Sequence, residues 1–503
     1  MKRPWWQRPL PSAAVVVALW LGWRLAFLSM AGIPAPMAHD EFSYLLGADT
    51  FAHGRLSNPP HPLAKFFESP HELVRPTYAS KYPPGQAMFL ALGQVVLGDP
   101  FYGVLAGNAL MLFAICVMLF AWVSPGWAWA ASVVPFVSLA PKMYWADSYW
   151  GGSVAAAGGA LVLLAIGICR NSQKWYAGMI FAAGALLLFW TRPYEGGVFT
   201  LAILLVFGGE LWRKVRAGIL ISALLLLAAG AIWTGYDNKA VTGSAFRLPY
   251  LEHDRQYNVS PIFWIEPLRP QPVYDQPRLA FQHGTEGVEA DDYREFPRGW
   301  RGFQHGLLWA IRTMYLEPTI LLTLILPFAW RNAVFRKLVL AVGIFVLGLS
   351  IETFHFAHYA APGWGAFVLI IAIWAECAWR APVQGFPAVR VLAVLVLLSS
   401  LIRILMPTDE PSWGPSRSAL IKRLSGLGGP QLVIVRYPNM SWNVGEEWVY
   451  NGADIDRQRV VFAHDLGAEE DRKLLAYYPD RKAWLLTFDV QSGADKIQPY
   501  NVQ

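Results

Sequence analysis

Long apolar runs separated by short polar connections dominate the chain. Many of these runs approach the roughly 20 residues that a helix needs to cross a ~30 Å hydrocarbon core. The first run covers about 12–31, and the others cover about 102–123, 127–142, 151–168, 176–191, 196–211, 217–235, 315–330, 338–354, 359–379 and 388–406. The pattern predicts a polytopic α-helical membrane protein with about eleven transmembrane helices and additional juxtamembrane helices.

Basic residues are concentrated in every second connection. Clusters of Lys and Arg lie near the N-terminus and at about 170–174, 213–216, 331–337 and 380–390. By the positive-inside rule these connections and the N-terminus are predicted to be cytoplasmic. The connections at 32–101 and 236–313, and the chain after 406, are then extracytoplasmic. A crossing by the short apolar segment 86–98 would reverse this assignment, so we expect that segment to lie on the membrane surface or half inserted.

The chain changes character after about residue 407. An amphipathic helix is predicted at 416–425, and strands at 431–437, 460–464 and 482–488 alternate with a helix at 469–478. This alternation predicts a small α/β domain over 407–503, following a transmembrane domain over 1–406. The tail contains no glycine-rich phosphate loop, which favours a structural or docking role over catalysis.

Composition narrows the class of protein. Of the 503 residues, 55% are hydrophobic and only 15% are charged, as in a membrane protein and unlike a set of soluble domains. The net charge of +6 is spread between the apolar runs, without a basic stripe interleaved with aromatic residues. Nucleic acid is therefore excluded as a partner.

An acidic pair follows the first span directly. Asp40 and Glu41 are predicted at the membrane surface, where a carboxylate suits a general base that deprotonates a sugar hydroxyl. Solvated loop acids are the simpler alternative. In the same connection, Lys81 and Tyr82 begin a Lys-Tyr-Pro-Pro-Gly motif whose prolines hold the backbone extended. Lys81 is suited to bind a lipid phosphate, or only to reach the interface along its apolar stem.

Other polar groups stand at the outward ends of later spans. Asp147 lies among aromatic residues and is either a second active-site acid or part of an interfacial belt. Arg192 either pairs with Glu195 or binds phosphate. The group His355, His358 and Tyr359 could donate to a phosphate or ligate a metal, but no metal-binding motif such as HExxH surrounds it. The identity of any metal is thus left unknown.

The order of these motifs resembles a known superfamily. A first span followed by Asp-Glu, then Lys-Tyr-Pro-Pro-Gly, then an outward acid, then His-Tyr-x-x-Pro, is similar to the GT-C membrane glycosyltransferases. More narrowly, the chain resembles bacterial relatives of the protein O-mannosyltransferases and of the aminoarabinose transferase that modifies lipid A. The resemblance covers about residues 10–410 in topology. The sequence departs from the pattern in having Tyr82 before the prolines and His358 where arginine is common.

The resemblance implies roles for individual residues. Asp40, with Glu41 beside it, would act as or near the general base, and Lys81 would contact the lipid phosphate. Asp147 would be the acid after the third span, and Tyr359 the tyrosine of the late motif.

These roles imply a glycosyltransferase of the bacterial inner (cytoplasmic) membrane. It would transfer a sugar from a polyprenyl-phosphate donor to an envelope lipid, glycan or protein on the extracytoplasmic face. No cofactor is certain, although a divalent cation, Mg²⁺ or Mn²⁺, remains open. The alternative is a polytopic transporter or lipid flippase, which needs ionisable residues near the bilayer midplane. Arg24 is the clearest such residue.

Overall fold

A computed structural model describes residues 4–141, 145–296, 299–313, 327–380, 390, 394, 413–438, 446–489 and 494–500. Most of the predicted spans 315–330 and 388–406 lies outside these ranges. The helices are α1 Pro9–Ala31, α2 His39–Ala52, α3 Pro84–Leu97, α4 Phe101–Trp122, α5 Pro125–Ala131, α6 Val133–Ser138, α7 Gly152–Asn171, α8 Tyr176–Phe189, α9 Pro193–Trp212, α10 Ala217–Thr242, α11 Pro249–Tyr257, α12 Pro277–His283, α13 Val288–Glu295, α14 Trp300–Thr313, α15 Ala333–Leu349, α16 Trp364–Arg380, α17 Trp413–Gly426 and α18 Ala468–Tyr477. The strands are β1 Glu72–Leu73, β2 Ala79–Ser80, β3 Gln431–Arg436, β4 Val460–His464, β5 Lys482–Asp489 and β6 Ala494–Pro499.

Within these ranges, six helical segments are long and apolar enough to cross a membrane. They are α1, α4, α7, α9, α10 and the segment Ala361–Arg380, which adds a 3₁₀ turn to the start of α16. Because several such helices occur in one chain, this is a multi-pass membrane protein. The larger number of crossings and their orientation stay predictions.

The predicted span 127–142 is wrong as one continuous helix. The structure has two short helices there, α5 and α6, with the break at Ser132. Pro135 explains the break, because a proline ring clashes with the carbonyl four residues earlier, and Ala131 is the last residue of α5. Residues 86–97 of the segment 86–98 lie in α3, which has 14 residues, and Gly98 follows the helix as its C-cap in the left-handed conformation.

The chain divides into two compact units, each built from three stretches. The first unit comprises Met1–Ile33, Gly103–Trp233 and Pro297–Thr408. It is helical in its described part, and α7 lies at its centre, packed against α8, α9 and α16. Small residues allow the α7–α8 contact, since a Cβ atom on Gly158 would meet the carbonyl oxygen of Gly184 at 2.9 Å.

The second unit comprises Pro34–Tyr102, Thr234–Phe296 and Asp409–Gln503. It contains a four-stranded sheet in the order β4-β3-β5-β6, in which β3 is parallel to both neighbours and β6 is antiparallel to β5. All three predicted strands are present, and β6 is an addition. Leu432 and Ile434 face a core that includes Phe66 and Phe67 of the first connection. The residues of β3 that alternate with these, Val433 and Val435, face Leu420 and Leu424 of α17. The sheet is thus covered on both faces. The domain boundary at 407 stays a prediction.

Candidate functional site

The acidic pair forms the start of α2, and its two carboxylates have different surroundings. The Glu41 side chain turns back and accepts hydrogen bonds from the backbone N–H groups of Met37 and Ala38, at 2.6 and 3.1 Å. This is the reciprocal half of a capping box, which satisfies N–H groups at a helix start. Glu41 is buried, whereas the Asp40 side chain keeps 27% of its surface exposed. Asp40 is therefore the more accessible acid of the pair.

Aromatic and imidazole side chains surround Asp40. The Tyr82 hydroxyl donates a hydrogen bond to its Oδ1 atom, and the Tyr82 ring stacks on Tyr44 with centroids 4.4 Å apart. His39 Nε2 lies 3.4 Å from Oδ2 and His71 Nε2 lies 3.9 Å from Oδ1. Burial lowers the pKa of His39 below its ordinary value, although Asp40 opposes this shift. The carboxylate thus has a hydrogen-bond donor on one oxygen and imidazoles near both.

Lys81 is a buried cation in the same unit. Its Nζ atom lies 5.2 Å from the ring centroid of Tyr82 and 5.3 Å from that of Tyr250, at the start of α11. Its backbone N–H donates to the carbonyl oxygen of His71. Two aromatic rings stabilise an ammonium group that the apolar surroundings would otherwise disfavour. The predicted pair of Lys81 and Tyr82 is therefore in contact, and Tyr82 also contacts Asp40.

Three histidines that the motifs did not indicate lie beside these residues. His71, His253 and His283 are buried, with ring centroids 5.5 to 5.9 Å apart, and we call them the histidine cluster. Burial, reinforced by the Lys81 charge, holds the pKa of His71 and His253 well below the ordinary range. Their separation along the chain hides them from local motif analysis. Three imidazole nitrogens do not fit Mg²⁺, which prefers oxygen ligands.

Asp147 has a strong partner in the first unit. Arg24, fully buried in α1, donates to Asp147 Oδ1 and, at 3.3 Å, to the carbonyl oxygen of Ala146. The Asp147 side chain is only 9% exposed. A buried arginine needs such a partner, because an unpaired charge there is very costly. The arrangement accounts for both residues as an ion pair.

Four of the other predicted residues meet in the first unit, and we call them the Arg192 cluster. Arg192 lies 3.5 Å from Glu195 and its guanidinium lies 4.7 Å from the ring centroid of Tyr359. His358 packs on Tyr359 and on Trp150. His355 contacts the carbonyl oxygen of Leu349 instead. Glu352, a buried acid that the motifs did not indicate, interacts electrostatically with Arg192 and Glu195.

The predicted site residues are therefore divided between the two units. Asp40, Glu41, Lys81 and Tyr82 belong to the second unit, and the remaining six belong to the first: Asp147, Arg192, Glu195, His355, His358 and Tyr359. Each unit brings together residues that are far apart in sequence.

Comparison with known proteins gives structural similarity only. No protein-family model and no curated protein sequence matches the chain. Among solved structures, ArnT from Cupriavidus metallidurans in the apo state is 14% identical, with a TM-score of 0.48 over 95% of this chain and 93% of that chain. The Archaeoglobus fulgidus oligosaccharyltransferase in the apo form is 10% identical, with a TM-score of 0.43 over 95% of this chain and 69% of that chain. AglB from Archaeoglobus fulgidus, in complex with an inhibitory peptide and a dolichol-phosphate, is 9% identical, with a TM-score of 0.44 over 97% of this chain and 74% of that chain.

The chain is thus similar over most of its length to ArnT and to the archaeal oligosaccharyltransferase AglB. At this level of identity, the similarity assigns no role to any residue.

Proposed function

We propose that the protein is a membrane glycosyltransferase that moves a sugar from a polyprenyl-phosphate donor to an acceptor in the cell envelope. One observation carries the proposal: Tyr82 contacts both the partly exposed carboxylate of Asp40 and the ammonium group of Lys81. A base and a cation held by the same side chain meet the two needs of this transfer. The acceptor must lose a proton, and the leaving phosphate must be stabilised.

Asp40 acts as the general base in this mechanism. Its carboxylate takes the proton from an acceptor hydroxyl as the hydroxyl oxygen attacks the anomeric carbon of the donor sugar. The bond between that carbon and the phosphate oxygen breaks, and its electrons leave with the polyprenyl phosphate, so the configuration inverts. The Tyr82 hydrogen bond orients Asp40, while Glu41 holds the helix start and takes no proton.

Lys81 stabilises the leaving phosphate. Its ammonium group carries one positive charge, and the two tyrosine rings restrict where that charge can lie. Charge-assisted hydrogen bonds to phosphate oxygens are stronger than neutral ones. Asp147 takes no part in this step and stays in its ion pair with Arg24.

The transporter alternative loses its main support. It depended on Arg24 as a charge within a span, and Arg24 has Asp147 as a buried partner. A buried charge that already has a counter-charge favours a structural role over binding of a transported substrate.

The neighbouring acids of α2 provide the test. Asp40→Asn should reduce sugar transfer by about 10²- to 10⁴-fold, the usual contribution of a general base, without loss of the folded protein. Glu41→Gln is the matched control, since an amide oxygen can still accept from Met37 and Ala38. Both variants are introduced into cells that lack the protein, and envelope glycans and lipids are compared by mass spectrometry. Restoration of the missing sugar by Asp40→Asn at wild-type level would overturn the assignment of the base.

A further inference from the structure

The histidine cluster is assembled from three separate segments of the second unit. His71 precedes β1, His253 lies within α11, and His283 is the last residue of α12. One nitrogen of each ring lies within 4.8 Å of a nitrogen of each of the others. The three side chains are at most 5% exposed. Three imidazoles from distant segments therefore converge on one small buried volume.

Most of the nitrogens in this volume have no hydrogen-bond partner among the described residues. They are Nδ1 of His71, both ring nitrogens of His253, and Nε2 of His283. A buried polar group without a partner costs about 1–3 kcal/mol. Four such atoms in one place are therefore costly unless a ligand binds them.

The surrounding residues orient the ring of His283 and hold the backbone of His71. His283 Nδ1 lies 2.9 Å from Glu289 Oε2, which leaves Nε2 for a ligand. Gln282 donates to the other oxygen of Glu289 at 3.0 Å. A carboxylate behind an imidazole is the usual arrangement for a histidine that binds a metal. Unusually for a residue other than glycine, His71 has a φ of 67°, and Ser43 Oγ donates to its carbonyl oxygen at 2.6 Å.

We propose that His71, His253 and His283 bind one zinc ion. Imidazole nitrogens are preferred zinc ligands, with bonds of about 2.0–2.1 Å and tetrahedral geometry. Ligand nitrogens around such an ion lie roughly 3.4 Å apart, so small ring rotations complete the site. Three protein ligands leave the fourth position for water.

The local charges are compatible with a dication. Lys81 adds positive charge near the histidine cluster, but the carboxylates of Asp40 and Glu289 lie next to two of the imidazoles. The ion would join residue 71 of the first connection to residues 253 and 283 of the second. It would thereby hold together the two connections that carry Asp40, Lys81 and Tyr250. This inference does not depend on the proposed function, because metal content is measured without any sugar substrate.

Metal analysis of the full-length protein tests the inference. The protein is purified in detergent with a tag that contains no histidines, dialysed against metal-free buffer and analysed by inductively coupled plasma mass spectrometry. We expect about one zinc per chain in the wild type, and near zero in His253→Ala and His283→Ala, because removing one of three ligands destroys the site. His464→Ala is the matched control: His464 is equally buried, but its Nε2 atom contacts the carbonyl oxygen of Glu68.

Two further measurements keep the test decisive if a variant fails to fold. Removing zinc from the wild type with a chelator should lower its Tm, and adding zinc back should restore it, because a ligand that binds the folded state stabilises it. Glu289→Gln should weaken zinc binding by about 10- to 100-fold while the fold persists. Wild-type protein without zinc whose Tm does not respond to added zinc, or full zinc content in His253→Ala, would overturn the proposal.

Discussion

Asp40 and Asp147 were predicted as catalytic acids on the same grounds, yet their surroundings differ. Asp147 belongs to the first unit, where the buried guanidinium of Arg24 contacts it directly. Asp40 belongs to the second unit, where a tyrosine hydroxyl and imidazoles are its neighbours, and a quarter of its side chain is exposed. Asp147 therefore has the surroundings of a buried ion pair, and Asp40 those of a partly exposed carboxylate that accepts from a hydroxyl group.

The comparison shows that the position of an acid at a helix end does not define its role. A buried and permanently charged partner holds a carboxylate in an ion pair, and removing either member is costly. A hydroxyl donor orients a carboxylate without adding a full positive charge. Stability and ligand binding can be measured without sugar transfer, and they distinguish a carboxylate in a buried ion pair from one that accepts from a hydroxyl group.

The largest effect on stability is expected when the buried ion pair of Arg24 and Asp147 is broken. Asp147→Asn should lower the free energy of unfolding by about 3–5 kcal/mol, because Arg24 is left buried without a counter-charge. Unfolding in detergent, followed by tryptophan fluorescence, measures this difference. Asp40→Asn, at a partly exposed site, should change stability far less.

A double substitution sharpens this test. Replacing Arg24 by Met together with Asp147 by Leu should recover most of the lost stability, since an apolar pair of similar volume often replaces a buried ion pair without cost. An Asp147→Asn variant that is as stable as the wild type but inactive would instead make Asp147 a catalytic acid.

A smaller effect is expected for phosphate binding by Lys81. Lys81→Met removes the charge and keeps the length of the side chain. The dissociation constant for a polyprenyl phosphate should rise about 10- to 100-fold, because a hydrogen bond to a charged group contributes about 1.5–3 kcal/mol. Native mass spectrometry with the carrier lipid alone measures this binding and needs no sugar.

Lys65→Met provides the matched control for Lys81. Lys65 lies in the same connection, but it forms an ion pair with Glu470. The side chains of Lys65 and Glu470 are 35% and 29% exposed. The loss of Lys65 should leave lipid binding unchanged. Equal weakening by both substitutions would indicate a general effect of basic charge, and would contradict a specific phosphate site at Lys81.

Much of the fold follows from local sequence patterns. The apolar runs at 431–437 and 460–464 predict strands that the structure contains, because alternate residues of each face opposite cores. Strand β6 was missed, since Ala494–Pro499 carries charged and polar residues and only one large apolar residue, Ile497. The span 127–142 was misread because its hydrophobicity conceals the break that Pro135 causes.

The site was less predictable, because its decisive contacts join distant residues. Arg24 and Asp147 are 123 positions apart, and nothing near either residue indicates the other. His253 and His283 lie in the connection 236–313, where no local motif indicated them. The motifs found Asp40, Lys81 and Tyr82 because all three lie in one connection, but only the fold reveals which imidazoles surround them.

A third kind of carboxylate extends the comparison, and its effect on stability depends on pH. Glu68 is buried in the second unit with a weak hydrogen bond from Tyr257 at 3.4 Å, and its Oε2 atom has no partner among the described residues. Burial, aided by the charge of Asp275, raises the pKa of Glu68 to about 7. The folded state therefore holds a proton that the unfolded chain releases near its ordinary pKa of about 4.5.

The pH dependence of stability follows from this difference. The contribution of neutral Glu68 is fully present below pH 4.5 and is lost as the pH rises through about 7. Glu68→Gln removes the titration, so its free energy of unfolding should exceed that of the wild type by about 3 kcal/mol at pH 8, with little difference at pH 4.5. Asp275→Asn should reduce the pH dependence, because one cause of the raised pKa is removed. A Glu68→Gln variant with the same pH profile as the wild type would mean that burial does not raise the pKa of Glu68.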